Sequence, residues 1–569
     1  MYKPTPQQIS ILECNDNCVV IAGPGSGKTS TIAHKINSVV TNLKWYEGVA
    51  AISYTNKASG ELRDKSKSLC PDLKNSVFST IDSFYIGNII IPFGKRFFGL
   101  PKKNLSVEKM DSYHDNTINE IVEEVEGILS RYKNCSVKEL EKNRINLINK
   151  LRPGTLKFIS INFKDGIFDL RLVGGIANLI FLSSKSCRNY FKARYKYLFI
   201  DEFQDSGENQ YYLFLRISEI NVKCWAIGDI NQSIFRFANK DAKYLKELLN
   251  NKRFNKFPMD INHRCHQSID LYSRKLLGFN ELPTKEENRV FNVFVKGNEC
   301  DIGVWFQRNL NDIKSTFNVK SNSKIGVLAK KNITLEKFLE KIDVPYRLFK
   351  QTVLDDDRSL CGGLLNNLIK LALEKRSTAY NFVDKFLDRE ISSKRLVIQK
   401  TTKLVQKFKD ELKEFMVNHN DNSNEIVKIF NEICAYIYPN TNNDSSINNL
   451  KYLLENKVKL NDFLPAEDDE IQLMNLYKSK GLEFDVVIHL DLYQYILPEY
   501  DWIQHQDYEN YLDSLNLHYV GVTRAVKALF LLSSNERYQV AKDKFIRAET
   551  SEFLSELQPF QSLWEESLF

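Results

Sequence analysis

The segment of residues 22–29 carries the pattern most able to do chemistry in this chain. It contains three glycines, Lys28 and Thr29, and lies between the apolar residues 18–21 and a helical pattern that begins near Ser30. A glycine-rich loop between a strand and a helix leaves backbone N–H groups free to surround phosphates. In such a loop the lysine ammonium reaches the outer phosphates and the threonine hydroxyl binds magnesium. The strict pattern has glycine where Ala22 stands, so a glycine-rich turn that binds no ligand remains the alternative.

The composition is that of a protein with packed cores. Hydrophobic residues make up 43% and charged residues 27% of 569 residues, a length sufficient for about three or four domains. No apolar run approaches membrane-spanning length and residues 1–7 contain no apolar signal segment, so we expect a cytoplasmic protein without membrane association. A net charge of +7 is compatible with a polyanionic ligand but does not require one.

The ten cysteines are scattered, and most lie within apolar runs. Cysteines in such runs usually act as small core side chains. Cys14 and Cys18 are four residues apart, but no second close pair and no histidine pair completes a zinc-binding set. The sequence therefore predicts neither a zinc site nor a disulfide at this pair.

Several short apolar runs end in polar residues, as buried parallel strands do. They cover residues 49–55, 197–202, 224–229, 325–328, 486–490 and 529–532. Helical stretches separate them, and ligands of such sheets bind at the carboxyl ends of the strands. The simplest organisation is an α/β fold with two parallel-sheet cores, each interrupted by a helical insertion. We expect the first core at residues 1–84 and 196–250, its insertion at 85–195, the second core at 251–350 and 471–569, and a reduced helical insertion at 351–470.

Two carboxylates, Asp201 and Glu202, close one of these strands. The first can hold magnesium and the second can polarise an attacking water. An acidic pair at a strand end is often only a solvated turn, but this pair gains weight because the phosphate loop occurs in the same chain. Gln232, after the next strand, is a neutral group able to sense a γ-phosphate or the attacking water.

Phosphoryl transfer also needs positive charge close to its transition state. Arg264, within Asn-His-Arg-Cys at residues 262–265, and Arg524, within residues 520–525, are the candidates. Taken alone, each is more often an ordinary surface arginine.

The order of these segments along the chain is highly specific. A glutamine near the N-terminus precedes the phosphate loop, which is followed by segments 54–58, 80–84, 201–205, 232–234, 262–264, 480–484 and 520–525. Over residues 7–525 this order resembles the UvrD/Rep/PcrA-type superfamily one helicases. The resemblance implies two RecA-like core domains with parallel sheets, each with a mainly helical insertion. It also implies a DNA-dependent ATPase that uses ATP and Mg²⁺.

The resemblance assigns roles in ATP binding and hydrolysis. Gln8, or Gln7 because the spacing is ambiguous, would read the adenine, and Glu483 would bind the ribose. Thr29 and Asp201 would hold magnesium. The expected catalytic residues are Lys28, Asp201, Glu202 as the base, Gln232, and Arg264 and Arg524 from the second core. The expected ATP-binding residues are Gln8, Ala22, Gly23, Gly25, Ser26, Gly27, Lys28, Thr29, Ser30, His263, Lys480 and Glu483.

The resemblance also implies a track for single-stranded DNA, which needs aromatic faces for bases and donors for phosphates. Tyr54 and Phe237 match positions that stack on bases, and Phe235 lies beside them in sequence. Each aromatic, taken singly, is more often a core residue. Three polar residues are expected to donate hydrogen bonds to phosphates: Thr55, Asn56 and Thr80.

Some positions depart from the family pattern. His263 stands where a tyrosine usually stacks on adenine, and Ala238 where an arginine commonly follows the aromatic of the third motif. Tyr477 stands where the family usually has a histidine. None of these changes affects Lys28 or Glu202, so we expect competence in ATP hydrolysis.

The second insertion and the C-terminal tail are short. This build, with the segment 84–93, looks like the helicase subunit of Gabija-type antiphage systems, which works beside an OLD-like nuclease with an ATPase and a TOPRIM domain. We therefore expect a 3′–5′ translocase or helicase that acts on single-stranded and tailed duplex DNA with such a nuclease. The alternative is an ATP-switched DNA-sensing or scaffolding subunit without robust unwinding. A small-molecule kinase is a further alternative, but it would not explain Arg264, Arg524 or the segment 54–58.

Overall fold

A computed structural model describes residues 3–102, 105–108, 110, 114–234, 242–279, 287–355, 357, 359–374, 378–386, 395–417, 422–438 and 443–555. Two six-stranded sheets, in which every strand pair is parallel, form the framework. The predicted α/β fold with two parallel-sheet cores is confirmed. Among the described residues no helix is both long and apolar enough to cross a membrane.

The first core opens with a capped helix followed by three strands. The Thr5 hydroxyl accepts a hydrogen bond from Gln8 N, and Gln8 Oε1 accepts one from Thr5 N, a capping box that starts the helix. In the first strand Val19 packs on one face of the sheet and Val20 on the other. The elements are α1 (Pro6–Glu13), β1 (Cys18–Ala22), α2 (Lys28–Val40), β2 (Gly48–Ser53), α3 (Asn56–Leu69), β3 (Val77–Thr80) and α4 (Ile81–Tyr85).

A mainly helical insertion follows and shares its hydrophobic core with one face of the first sheet. A π-helical turn at Ile86–Ile90 leads into it. One of its helices is apolar around its whole circumference and is accordingly buried on nearly all sides. The elements are α5 (Ile91–Phe98), β4 (Ser106–Glu108), α6 (Asp115–Arg131), α7 (Val137–Lys142), α8 (Pro153–Lys164), β5 (Ile167–Asp169), the apolar α9 (Val173–Ser183) and α10 (Lys185–Arg194).

The chain then returns to complete the first sheet. The elements are β6 (Tyr195–Ile200), α11 (Glu208–Ser218), β7 (Lys223–Gly228), α12 (Lys243–Asn250) and β8 (Asn255–Met259). The strand order is β3-β2-β6-β7-β1-β8. Because β8 pairs with β1, residues 255–259 belong to the first sheet, although the expected boundary after residue 250 puts them in the second core. We propose that this boundary lies beyond Met259.

The second core begins with three strands that alternate with helices. The helix after β9 starts with a capping box, in which the Asn298 side chain and Asp301 satisfy each other's backbone N–H groups. Residues of β10 alternate between the two faces of the sheet, with Val327 on one face and Leu328 on the other. The elements are α13 (Gln267–Leu276), β9 (Val290–Val295), α14 (Glu299–Thr316), β10 (Ile325–Ala329), α15 (Asn332–Leu339) and β11 (Tyr346–Phe349).

A second helical insertion has a hydrophobic core of its own, built from residues between Leu354 and Phe463. Over the ranges that the structure describes, this insertion contains helices and no strands. The helices are amphipathic, so each buries one apolar face against its neighbours. They are α16 (Leu360–Leu373), α17 (Ala379–Phe386), α18 (Arg395–Val417), α19 (Ser423–Ile437) and α20 (Asp444–Glu455).

The last part of the chain completes the second sheet in the order β11-β12-β10-β13-β14-β9. Helices cover both faces, and a short antiparallel hairpin, β15–β16, follows. The elements are β12 (Ile471–Asn475), α21 (Leu476–Ser479), β13 (Phe484–His489), α22 (Tyr500–His505), α23 (Tyr508–Val522), β14 (Ala525–Ser534), β15 (Glu536–Gln539), β16 (Lys544–Arg547) and α24 (Glu552–Ser555). Glu483 and Arg524 therefore lie at the amino ends of β13 and β14.

Candidate functional site between the two cores

A cavity of about 530 Å³ lies where the two cores meet. Its wall contains all six predicted catalytic residues and every predicted ATP-binding residue except Gln8 and Ala22. Lining residues that precede Met259 are Gly23, Pro24, Gly25, Ser26, Gly27, Lys28, Thr29, Ser30, Thr55, Ala58, Glu61, Lys65, Asp201, Glu202 and Gln232. Lining residues that follow it are His263, Arg264, Lys480, Gly481, Leu482, Glu483, Arg524 and Val526.

The phosphate loop spans residues 23–27 and ends at the first turn of α2. Gly25 and Gly27 have φ values of 68° and 87°, a left-handed conformation that glycine adopts without strain. A Cβ on Gly25 would lie 2.2 Å from Asn262 Oδ1, and the Gly25 carbonyl accepts a hydrogen bond from His263 N at 2.9 Å. The loop is thus in direct contact with the segment that carries Arg264. The start of α2 offers unpaired N–H groups and a positive dipole end to an anion.

Gln8 lies behind this loop and not in the cavity wall. Its side chain is buried, and Nε2 donates to Ser26 O at 2.9 Å while Oε1 holds Thr5 N. The neighbouring Gln7 donates to Asp260 Oδ1 at 2.6 Å. Ala22 is buried at the end of β1. In this arrangement Gln8 supports the phosphate loop, and its expected contact with adenine stays a prediction.

Asp201 and Glu202 occupy the carboxyl end of β6, beside the loop. Glu202 has a φ of 56°, and its N–H donates to Asp201 Oδ1 at 3.0 Å. Glu202 Oε1 lies 3.5 Å from Lys28 Nζ. Burial and the neighbouring Glu202 raise the pKa of Asp201. Burial opposes ionisation of Glu202 too, but Lys28 and Lys480 outweigh it and lower the pKa of that carboxyl.

The same carboxylates act on the lysine of the loop. Burial disfavours the charged form of Lys28, but Glu202, Asp229 and Asp201 outweigh this effect and raise its pKa. Lys28 therefore stays an ammonium group. The cavity floor combines a fixed cation with two carboxylates, which suits a ligand that brings both phosphates and a metal ion.

Arg524 enters the cavity from the amino end of β14 and is held by several acceptors. Its Nε donates to Val520 O at 3.0 Å, and its Nη2 donates to Gln232 Oε1 at 3.3 Å. Burial and the nearby Arg264 lower the pKa of Arg524 to about 10, so it stays charged at neutral pH. A buried guanidinium with fixed orientation can stabilise charge that develops in the cavity.

Arg264 and Glu483 pair with each other at the edge of the cavity. Arg264 Nη2 lies 2.5 Å from Glu483 Oε1, and Arg264 N donates to Asn262 Oδ1 at 2.8 Å. The resemblance assigns these residues to the γ-phosphate and the ribose, respectively. Both line the cavity, as such contacts require.

Lys480 joins the two cores inside the cavity. Its Nζ donates to Asp205 Oδ2 at 2.6 Å and to Gln232 O at 2.8 Å. Its Nζ also lies 4.0 Å from Glu202 Oε2. Lys480 and Arg524 are thus second-core residues that directly touch the first core.

The predicted DNA-track residues divide into three groups. Thr80 pairs in register with Ser53, so Thr80 and Tyr54 lie together at the carboxyl edge of the first sheet. Thr55 instead lines the cavity, where its hydroxyl accepts a hydrogen bond from Ala58 N and caps α3. Asn56 is the first residue of that helix. Phe235 and Phe237 lie outside the described residues, as does Ala238.

The sequence analysis did not identify one wall of the cavity. Ala58, Glu61 and Lys65 line it from α3. Their spacing of three and four residues puts them on one face of a helix. The helical spacing of these residues after Thr55 in the sequence is the signal that could have identified them. Gln204 and Asp205 were within a segment that the sequence singled out, but their contacts depend on distant residues.

Comparisons with known proteins agree with this architecture. Residues 7–238 match a family model described as an AAA domain, and residues 176–536 match the UvrD-like helicase C-terminal domain.

Relatives match over almost the whole chain. The Gabija protein GajB of Bacillus cereus (strain VD045) is 26% identical over 541 residues, which cover 93% of this chain and 95% of the relative. The ATP-dependent DNA helicase Rep of Buchnera aphidicola subsp. Acyrthosiphon pisum (strain APS) is 24% identical and covers 98% of each chain. Rep of Escherichia coli (strain K12) is 22% identical, with 98% of this chain and 94% of the relative covered. With a family match over more than half of its length and a cavity lined by that family's motifs, the chain belongs to the UvrD-like helicases, a family of ATP-hydrolysing DNA helicases.

Proposed function

We propose that this chain is an ATP-driven motor that moves 3′ to 5′ along single-stranded DNA and acts with a nuclease. The observation that carries the proposal is the shared cavity. Lys28 and Glu202 of the first core face Arg524 of the second core across one volume of about 530 Å³. A triphosphate held there would contact both cores at once.

Hydrolysis would use groups already in place. Glu202 accepts a proton from the attacking water as the water oxygen bonds to the γ-phosphorus. The bond from that phosphorus to the bridging oxygen breaks, and its electron pair leaves with ADP. Lys28, Arg264 and Arg524 stabilise the negative charge on the transferring phosphoryl group.

Magnesium fits the donors present. The Thr29 hydroxyl and the Asp201 carboxylate are oxygen ligands, which Mg²⁺ prefers, and both line the cavity. The raised pKa of Asp201, caused by burial next to Glu202, marks a carboxylate that a cation would favour in its ionised form. Bound Mg²⁺ would neutralise phosphate charge and so favour attack.

Movement would follow from the change in contacts on hydrolysis. ATP favours the arrangement in which the arginines of the second core face the phosphate loop. ADP lacks the γ-phosphate and favours that arrangement less, so the population shifts toward an opened cleft. Tyr54 and Thr80, at the carboxyl edge of the same sheet as Asp201, would then hold and release the strand.

The partnership rests on similarity to the Gabija protein GajB, whose length this chain matches almost completely. The expected partner is an OLD-like nuclease with a TOPRIM domain, and the expected setting is antiphage defence. Co-expression of the full chain with an OLD-like nuclease, followed by co-purification, tests the partnership without reference to the motor.

The motor is tested by ATP turnover with and without single-stranded DNA, and by strand displacement on duplexes with a 3′ or a 5′ tail. Stimulation by single-stranded DNA and displacement only from the 3′ tail are expected. Glu202→Gln should bind ATP and hydrolyse it poorly. Folded protein with no turnover in either condition, or displacement from the 5′ tail, would contradict the motor or its polarity.

A second candidate function is an ATP-switched DNA sensor for a nuclease. The direct contacts between the cores, Lys480 with Asp205 and Arg524 with Gln232, favour it because they join the two cores through side chains of the protein itself. Nuclease activation that persists in Glu202→Gln supports the sensor. Loss of both displacement and activation supports the motor.

A further inference from the structure

Gln204 is a fully buried residue whose side chain joins the ends of two strands. It lies in the short turn Phe203–Asp205 after β6. Its Nε2 donates a short hydrogen bond to Glu202 Oε2, and its Oε1 accepts one from Asp229 N, after β7, at 3.0 Å. Both ends of the amide are therefore used, and neither could be reversed without leaving like groups face to face.

Glu202 is consequently held at both carboxylate oxygens. Oε1 faces Lys28 Nζ at 3.5 Å, whereas Oε2 accepts from Gln204. The Gln204 amide holds the Glu202 carboxylate against the attraction of the Lys28 ammonium group, and it adds no charge of its own. Loss of the amide would leave the carboxylate free to turn toward Lys28, or toward Lys480 at 4.0 Å.

The hydrogen bonds continue from Gln204 to the second core. Asp229 Oδ2 accepts from Gln232 Nε2 at 2.8 Å, and Gln232 Oε1 accepts from Arg524 Nη2 at 3.3 Å. A series of hydrogen-bonded residues, Glu202–Gln204–Asp229–Gln232–Arg524, thus links the expected base of the first core to an arginine of the second. Asp229 takes part through its backbone N–H on one side and its carboxylate on the other. Every member except Glu202 is at most 3% exposed, so water competes little for these bonds.

The Gln204 amide packs closely against the end of β7. A Cβ on Gly228 would lie 2.4 Å from Gln204 Oε1 and 2.9 Å from Leu245 Cδ2. Glycine at the end of β7 is what lets the amide reach the backbone of Asp229. The geometry of the series therefore depends on the close approach of the β6 and β7 ends.

We propose that Gln204 is a positioning residue that orients Glu202 for attack and, through Asp229 and Gln232, ties that orientation to the position of Arg524. This inference rests on the proposed ATP hydrolysis at the same site. Gln204 does not line the cavity and acts through Glu202. Its effect should therefore appear in the turnover number and not in ATP binding.

The test compares three variants of the full chain. Gln204→Met removes both hydrogen bonds, whereas Gln204→Glu keeps an acceptor for Asp229 N and replaces only the donor to Glu202. The matched control is Gln210→Met, which removes the hydrogen bond from Gly207 N to a glutamine outside the series. We expect kcat of both Gln204 variants to fall about 10- to 100-fold with KM for ATP unchanged, and Gln210→Met to behave like the parent.

A double variant tests the link to the second core. If the series transmits position, the losses in kcat caused by Gln204→Met and Gln232→Ala should not multiply. The fold-loss of kcat in the double variant should then be smaller than the product of the two single fold-losses. Three results would overturn the inference. They are a parent-like kcat in Gln204→Glu, losses of ATP affinity as large as the losses of kcat in the Gln204 variants, and strictly multiplicative losses of kcat in the double variant. A parent protein that hydrolyses no ATP would instead contradict the proposed function. If Gln204→Met does not fold, the Gln204→Glu comparison still decides.

Discussion

Lys480 Nζ of the second core donates to Asp205 Oδ2 of the first core at 2.6 Å, although the two residues are 275 positions apart. Their side chains are only 10% and 1% exposed. The ion pair thus joins the two cores beside the cavity that Lys480 lines. Removing the ammonium group would leave a buried carboxylate without its cation, a costly arrangement that separation of the cores would relieve.

Lys480→Met should therefore loosen the contact between the cores. We expect a larger radius of gyration without nucleotide, measured by small-angle X-ray scattering. ATP turnover should fall about tenfold, which corresponds to about 1.4 kcal/mol. Lys527→Met is the matched control, because Lys527 pairs with Asp485 inside the second core. An unchanged radius and unchanged turnover in Lys480→Met would show that the pair does not hold the cores.

Gly25→Ala should weaken ATP binding. Alanine at a φ of 68° is strained, and its methyl group would lie 2.2 Å from Asn262 Oδ1. The segment that carries Arg264 would have to move off the phosphate loop, so we expect the Kd for ATP to rise at least about tenfold. Gly127→Ala, in α6 with open space around it, should bind ATP normally. Isothermal titration calorimetry measures both, and normal binding by Gly25→Ala would contradict the prediction.

Arg524→Lys should retain charge but lose catalysis. The guanidinium donates to Val520 O, Leu482 O, Thr523 Oγ1 and Gln232 Oε1, and an ammonium group cannot span these acceptors. We expect kcat to fall about 10²- to 10³-fold. Arg253→Lys changes an arginine that pairs with Glu219 away from the cavity and should leave kcat unchanged. Full activity of Arg524→Lys would mean that charge alone is sufficient.

Two buried histidines should make stability depend on pH. His489 Nδ1 contacts Leu490 O at 2.9 Å, His489 Nε2 contacts His518 Nδ1 at 3.1 Å, and His518 Nε2 contacts Tyr272 Oη at 3.4 Å. Neutral rings satisfy this series, with each ring donating once and accepting once. Burial lowers the pKa of His489 from 6.5 to about 4, and burial and His489 lower the pKa of His518.

The sign follows from these depressed pKa values. Below about pH 6.5 the two histidines bind protons in the unfolded chain but stay neutral in the folded chain. The free energy of unfolding therefore falls as pH falls toward 4. Each histidine contributes at most about 1.4 kcal/mol per pH unit. Thermal melts at several pH values should show a shallower decline for His518→Gln than for the parent. The control is His505→Gln, because His505 is exposed. If thermal stability declines identically with pH in all three proteins, the buried histidines are not the cause of the pH dependence.

Much of the site was predictable because its residues follow local rules. The glycines of the phosphate loop, the carboxylates after β6 and Gln232 after β7 each stand at the end of an apolar strand. An edge strand was harder to identify. β8 reads Asn-Lys-Phe-Pro-Met, with lysine and proline as edge strands often have, so its weak pattern gave no sign that it pairs with β1.

Other features depended on contacts that no local pattern encodes. Thr55 caps α3 and lines the cavity, a placement that no local pattern specified, and its expected contact with DNA stays a prediction. Gln8 caps α1 through Thr5 and supports the phosphate loop through Ser26 O, and its expected contact with adenine stays a prediction. Both side chains have more than one acceptable partner, and the packing of neighbouring elements selects one.

The sequence by itself determined which chemical groups stand at the ends of which strands, because strand periodicity, glycine loops and motif order are local properties of the chain. Only the tertiary structure decided which of these groups meet. Gln232 and Arg524 are 292 residues apart, and no propensity of either residue specifies the other. Their contact exists because two sheets built from different parts of the chain meet at one cavity, the first with the carboxyl ends of its strands and the second with the amino ends.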